Sequence, residues 1–344
     1  MTTLNATETT TTVRGNSVYS GNSVYTQKLN ARRAEVRAEM DRLTFGVELE
    51  TEGTRSQVAQ AIALGLTEAG IQATVSSDGG YYDKWVVTLA DGRKWTCMRD
   101  GSLPNGGCEV VSPICHLTDM PMVQEVARLT RKAGATVSSN CGMHVHVGNI
   151  QDPKQVSRLA QKVAFHEETM FQAFAVAPYR QGTFTKPASK DFIKALVLLG
   201  SKVTMSSLCN AWYQHNGGSE GRSAILNLDS ASEHYNHYHT SRYHGLNLHS
   251  FFARGTIEFR YFEGTLHAGV IRSFITFCVG MVANAKTKAS NGRTSPNATQ
   301  KALMSKLVAN LGLSDKTVLE HLLKNFPRTN NVSTNNVAPI RRIA

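Results

Sequence analysis

The chain has 344 residues, of which 41% are hydrophobic and 18% charged; this excludes wholesale disorder and allows one large domain or two ordinary ones. The net charge of +11 is unevenly placed, because ten Lys and Arg against two acidic residues lie from Asn284 onward and leave about +3 for the first 283 residues. A basic appendage on a nearly neutral body argues less for nucleic-acid binding than a basic groove would, and reads as solubility, a partner surface or attraction to an anionic substrate.

Residues 1–28 are rich in Thr, Asn, Ser and Gly, with a repeated "GNSVY", and read as a disordered tail, as do residues 328–344. The first strand is expected at 43–50, followed by a helix over 55–69 with Val58, Ile62 and Leu66 at four-residue spacing and Gly70 as its stop. A strand at 71–76 precedes segments 84–90 and 93–98, whose junction at Asp91-Gly92 predicts a type I′ hairpin. Further along come a strand at 108–112, a helix over 118–133 and a strand at 143–148. Asp152-Pro153 marks the start of a helix running to about 176. Helices at 189–199 and 204–213 lead into strands near 223–228, 243–249 and 255–262, then helices over 267–285, 298–311 and 315–325. Hairpins outnumber βαβ units, so the expected class is α+β, a largely antiparallel sheet with helices on one face.

No run reaches 18 apolar residues, and "GVIRSFITFCVGMVANA" is broken by Arg272 and reads as too short to span a bilayer. The N-terminal stretch lacks an apolar h-region, so no signal peptide or membrane is expected and a cytoplasmic location is the default. The six cysteines form no C-x-x-C pair, which points to reduced thiols rather than a zinc ribbon.

Three strands share one habit. In "LTFGVELE", Phe45, Val47 and Leu49 point one way and Glu48 and Glu50 the other; in "CGMHVHVG", Met143, Val145 and Val147 oppose His144 and His146. In "TIEFRYF", Ile257, Phe259 and Tyr261 oppose Glu258, Arg260 and Phe262. A lone Glu-x-Glu or Glu-x-Arg on a strand is usually a solvated face or a cross-strand ion pair, and a lone His-x-His is often structural. Three such pairs on apolar-backed strands favour a metal site, because gathered carboxylates repel and a divalent cation removes that penalty. Oxygen ligands with an occasional imidazole suit Mg²⁺ or Mn²⁺ better than zinc, and the guanidinium fork of Arg260 suits a phosphate or carboxylate.

"GMHVHVG" resembles the Gly-Met-His-x-His strand of glutamine synthetases, "TIEFR" their late Glu-x-Arg strand, and "FGVELE" their first acidic strand. With "RDGSLPNGGCEVVSPI", "APYRQGTF" and "YHGLNLHSF", the ordered set resembles the amidoligase family over about residues 43–283, a family frequent in phages and bacteria. The resemblance implies a glutamine synthetase-like catalytic domain over 29–286, with a curved sheet and helices on its outer face, and a basic helical extension over 287–327. It further implies an ATP-dependent carboxylate–amine ligase acting through an acyl phosphate, in the host cytoplasm for a phage-encoded member. Glu48, Glu50, Glu109, His144 and Glu258 would hold two or more Mg²⁺ or Mn²⁺ ions. His146 would meet the ATP phosphates and Arg260 the transferring phosphoryl group, while Asp100, Ser102 and Asn247 would line the site and Arg180 would bind substrate. No G-x-x-x-x-G-K-[ST] loop occurs, and the residues before Glu48 are expected to form a short, partly helical lead-in rather than a separate β-grasp domain. The expected partners are small-molecule or peptide carboxylates and amines.

Two other classes remain open to the sequence. One is a His-x-His metallohydrolase, which calls for a (β/α)₈ rhythm; the other is a structural or nucleic-acid-binding protein using the basic C-terminal region. The segment "EHYNHYHTSRYH", with His234, His237, His239 and His244, reads as a solvated or substrate-facing lid or as a soft-metal binder. Trp85 and Trp95 read as cross-strand packing, and Cys141 as structural.

Overall fold

A computed structural model describes residues 24–103, 106–217, 239–287 and 297–326. Its strands are β1 (Phe45–Thr51), β2 (Ala73–Ser77), β3 (Trp85–Leu89), β4 (Lys94–Met98), β5 (Cys108–Val111), β6 (Gly142–Val147), β7 (Leu246–Asn247) and β8 (Ile257–Glu263). They form one sheet in the order β2-β3-β4-β5-β1-β6-β8-β7, antiparallel at every pairing. An antiparallel sheet lacks the parallel alternation that the metallohydrolase reading called for.

The helices are α1 (Val24–Met40), α2 (Arg55–Glu68), α3 (Met120–Lys132), α4 (Pro153–Ala173), α5 (Pro178–Thr183), α6 (Lys190–Leu199), α7 (Met205–Asn216), α8 (His249–Arg254), α9 (Ala268–Lys286), α10 (Gln300–Asn310) and α11 (Lys316–Leu323). Asp152 caps α4 by accepting from the Lys154 backbone N–H, and Pro153 occupies the first turn, where no donor is needed. The apolar sheet face built from Phe45, Val47, Leu49, Met143, Val145 and Val147 is buried in one core with residues of α2, α3, α4 and α9.

Several elements depart from the expectations. Helix α9 has 19 residues and is long and apolar enough to cross a membrane by length and composition, contrary to its reading as too short. It is instead the central core helix, with 78% of its apolar window buried and α1, α3, α4 and α11 packed around it. Helix α1 starts at Val24, inside the stretch read as a tail. The hairpin after β3 is not type I′: Gly92 has φ +84° but Asp91 lies outside the positive region, and the Gly92 N–H bonds back to the Leu89 carbonyl. That is a three-residue loop ending in a left-handed glycine, the arrangement of a type I turn with a bulge. The segment read as a strand over 243–249 supplies only the two residues of β7 before turning into α8, and α5 was not foreseen. The strand expected near 223–228, with His234 and His237, lies outside the described residues.

Strand β8 carries a further correction. Phe259 pairs with Val145 and Phe262 with Met143, so three steps on β8 match two on β6. This bulge reverses the alternation beyond Arg260 and turns Phe262 to the apolar side, where its ring stacks on Phe274 of α9 at 4.2 Å between centroids.

Candidate metal and anion site

Directly opposed residues on antiparallel strands share a face, and the register therefore builds the site in rows. Glu109 on β5 is opposite Glu50 on β1. Glu48 on β1 is opposite His144 on β6. His146 on β6 is opposite Glu258 on β8, which in turn faces Asn247 on β7. Five strands thus present their polar side chains to one surface, backed by the apolar face described above.

The side chains close on one another. Glu48 bridges both imidazoles, with Oε2 3.0 Å from His144 Nδ1 and Oε1 3.2 Å from His146 Nε2. His144 Nδ1 lies 3.7 Å from Glu258 Oε1, and its Nε2 lies 3.6 Å from Glu50 Oε1. Two donor sets result, Glu48–His144–Glu258 and Glu50–Glu109–His144, each with one ligand atom per residue and all atoms of a set within 4.8 Å of one another. A hard divalent cation with bonds of about 2.0–2.6 Å spans about 4–5 Å between opposite ligands, so both sets match its size. Carboxylate oxygens with a single shared imidazole also match its chemistry.

The electrostatics show what holds the cluster together. Burial alone would raise the Glu48 carboxyl, but His146 and His144 outweigh it and keep it well below the usual range. Glu258 is likewise opposed by burial, yet Arg260, His146 and His144 bring it down to about 2. Glu109 goes the other way: burial raises it well above the usual range, Glu48, Asp100 and Glu50 push the same way, and Arg260 offsets them only in part. Burial works to lower His146, whereas Glu48 and Glu258 hold it above its ordinary value. His146 and Arg260 thus supply positive charge that the carboxylates require.

Orienting groups surround the cluster. The Glu50 carboxylate accepts from the Gly142 N–H at 2.5 Å. Glu258 Oε2 accepts from Asn247 Nδ2 at 2.6 Å while Asn247 Oδ1 accepts from the His249 N–H, so Asn247 orients a carboxylate. His146 Nδ1 meets Thr256 Oγ1 at 3.2 Å and Ser250 Oγ at 3.4 Å. Arg260 Nη1 donates to Glu258 Oε1 at 2.6 Å, and its buried Nε has no hydrogen-bond partner among the described residues.

Arg180, on α5, is 3% exposed and donates to the Cys141 carbonyl at 3.4 Å. Its Nε is also unpartnered, and it makes no ion pair among the described residues. A Cβ added at Gly142 would lie 2.9 Å from Arg180 Nη2, 3.1 Å from His144 Nε2 and 3.2 Å from Glu50 Oε2, so Arg180 belongs to the same cluster. Asp100 sits at its margin, close enough to raise Glu109, and accepts from the Ser102 backbone N–H at 2.8 Å. Ser102 is exposed and is not brought into contact with the ligand sets. A surface groove of about 410 Å³ between α6 and α7 is lined by no residue of the cluster.

Gly142, Thr256 and Ser250 went unrecognised in the sequence. Gly142 and Thr256 each lie inside a quoted motif but were given no role there, whereas Ser250, inside "YHGLNLHSF", becomes a neighbour of His146 only through the turn into α8.

Fold and site together define an α+β protein whose antiparallel sheet gathers carboxylates, imidazoles and guanidinium groups on one face. The chain belongs to the family described as "Putative amidoligase enzyme", whose model matches residues 41–282. This makes it a ligase-like enzyme in the coarse sense. No curated protein matches the sequence.

Proposed function

We propose that the protein is an ATP-dependent carboxylate–amine ligase with a glutamine synthetase-like catalytic fold, using Mg²⁺ or Mn²⁺. The observation that carries this reading is the sharing of His144 between two cation-sized donor sets, with Arg260 bonded to a ligand of one of them. Glu48, His144 and Glu258 would hold one ion, and Glu50, Glu109 and His144 a second. When bound, such ions neutralise charge on the β- and γ-phosphates of ATP.

The chain's own groups account for the rest. His146 and Arg260 would meet the phosphates, and the Nε of Arg260, unpartnered among the described residues, would serve a transferring phosphoryl oxygen. Asp100, Ser102 and Asn247 would line the nucleotide side, Asn247 acting through Glu258. Arg180, a buried cation without a carboxylate partner among the described residues, would take the substrate carboxylate. A carboxylate oxygen attacks the γ-phosphorus and ADP leaves, giving an acyl phosphate. The amine nitrogen then attacks the carbonyl carbon, the C–O bond to phosphate breaks, and the nitrogen loses a proton to solvent as the amide forms. The partners are small-molecule or peptide carboxylates and amines.

Purified protein supplied with ATP, Mg²⁺ and a pool of amino acids and amines should release phosphate with an ATP-dependent mass gain in one component. Glu258→Gln and His144→Ala should each abolish both. Undiminished turnover in both variants would reject the site.

A further inference from the structure

The bulge in β8 raises a question that the sheet itself does not answer. Arg260 and Tyr261 together stand opposite the single β6 residue His144, because the register on either side pairs Phe259 with Val145 and Phe262 with Met143. Two residues competing for one ladder position are not told apart by the ladder, so another contact must decide which side chain enters the site. Arg260 enters it, bonded to Glu258. Tyr261 is carried away to α4, where its hydroxyl donates to Glu167 Oε1 at 2.7 Å and its ring meets Phe171 edge-on at 5.6 Å.

Glu167 is in turn fixed from a second side. Its Oε2 accepts from the Ala188 N–H at 3.1 Å. Pro187 joins Ala188 to Lys186, whose carbonyl accepts from the Gly245 N–H at 2.9 Å, and the Gly245 carbonyl accepts from the Arg260 N–H at 2.8 Å. The connections close into a ring that runs from Glu167 through Ala188, Lys186 and Gly245 to Arg260 and back through Tyr261. Gly245 packs closely against the Tyr261 ring, so that a Cβ placed there would come within 2.2 Å of Tyr261 Cε1, and the ring has no room to swing towards that side. Tyr261 is fully buried and Glu167 is 6% exposed, which leaves neither a solvent partner to exchange for the other.

We infer that Tyr261 and Glu167, 94 residues apart, are positioning residues that hold the bulge in the one arrangement that aims the Arg260 guanidinium at the transferring phosphoryl group. This rests on the ligase reading, because it is the charge on that group that Arg260 would meet. Among the described residues, neither is hydrogen-bonded to a proposed metal ligand. Their effect passes through the placement of Arg260, so they should influence binding of a phosphoryl mimic without influencing the metal sets.

The test uses full-length protein and two probes by calorimetry: Mn²⁺ alone, and ADP with aluminium fluoride in the presence of Mn²⁺. Tyr261→Phe keeps the ring and removes only the hydroxyl. Glu167→Ala removes the acceptor. Glu167→Gln keeps the link, because an amide oxygen can accept from Ala188 while its N–H donates to the tyrosine oxygen. Tyr261→Phe and Glu167→Ala should each weaken the ADP–aluminium fluoride complex by about tenfold or more, with Mn²⁺ affinity within about twofold of wild type and Glu167→Gln near wild type. The inference is overturned by Tyr261→Phe binding the mimic as tightly as wild type, and equally by Mn²⁺ affinity falling in step with that of the mimic, the mark of a merely structural role. Wild-type protein that binds neither probe would sink the ligase reading, and the inference with it.

Discussion

Replacing Glu258 by Gln keeps the side-chain shape and removes one negative charge from the centre of the cluster. Its two oxygens face two donors, Arg260 Nη1 and Asn247 Nδ2, each at 2.6 Å, so an amide can satisfy only one of them. Burial opposes the charged form, yet Arg260, His146 and His144 hold the carboxyl at about 2 against an ordinary 4.5. At roughly 1.4 kcal/mol per tenfold, that difference is worth about 3 kcal/mol. Because the folded value lies below the unfolded one, this stabilisation is complete above about pH 4.5 and is lost as the pH falls through about 2. Leaving Arg260 buried without its counter-charge is a cost of the same order, about 3–5 kcal/mol. Urea unfolding followed by tryptophan fluorescence, with chelator present, should therefore place Glu258→Gln about 3 kcal/mol below wild type at pH 7, with the gap closing towards pH 2. Mn²⁺ at about 100 times its dissociation constant should then add about 2.7 kcal/mol to the wild type and far less to the variant. A variant within about 0.5 kcal/mol of wild type at pH 7 would refute the electrostatic argument, and an equal gain from Mn²⁺ would refute the assignment of Glu258 as a ligand.

Gly142→Ala places a methyl group 2.9–3.2 Å from Arg180, His144 and Glu50 at once, so Mn²⁺ affinity by titration should fall by about tenfold or more while the melting temperature moves by only a few degrees. Normal affinity would show that these three side chains shift without consequence. Leu307→Ala in α10, at a position 1% exposed, should cost about 2–5 kcal/mol by chemical denaturation, because Met304, Leu307 and Val308 of this helix are buried in the core. A cost below about 0.5 kcal/mol would place α10 outside the cooperative unit.

The sequence made the three polar-faced strands legible because alternation with period two is a local property, and Phe45, Val47 and Leu49 against Glu48 and Glu50 display it without help from the rest of the chain. Helices with a clear cap, such as α4 after Asp152-Pro153, were legible for the same reason. What stayed hidden is non-local. The bulge that turns Phe262 inward exists only in the pairing of β8 with β6, since "FRYF" alone continues a regular alternation. The Tyr261–Glu167 bond joins residues that no local pattern connects. The helix over α9 was legible, but its apolar run looked broken at Arg272; that guanidinium pairs with Asp315 at 2.5 Å, leaving the apolar sides free to be buried. Asn247 was read as lining a nucleotide site, and its actual bond to Glu258 could not be anticipated without knowing that β7 and β8 are neighbours.

The placement of the ligands also explains why a sheet, rather than a set of loops, carries this cluster. Strands β1, β6 and β8 are interior strands, each paired on both sides, so their backbones cannot drift independently. Directly opposed residues on such strands hold their Cβ atoms about 4.5–5.5 Å apart. The ligand atoms of Glu48, His144 and Glu258 lie within 4.8 Å of one another, close to that same spacing. The sheet thus sets a gap of cation size, and packing of the opposite, apolar face holds the carboxylates there against their mutual repulsion. Tight placement of that face is therefore a requirement of the site as much as of the fold: Val145 and Met143 fix the strand from which His144 projects, and slippage by one residue would send the imidazole into the core.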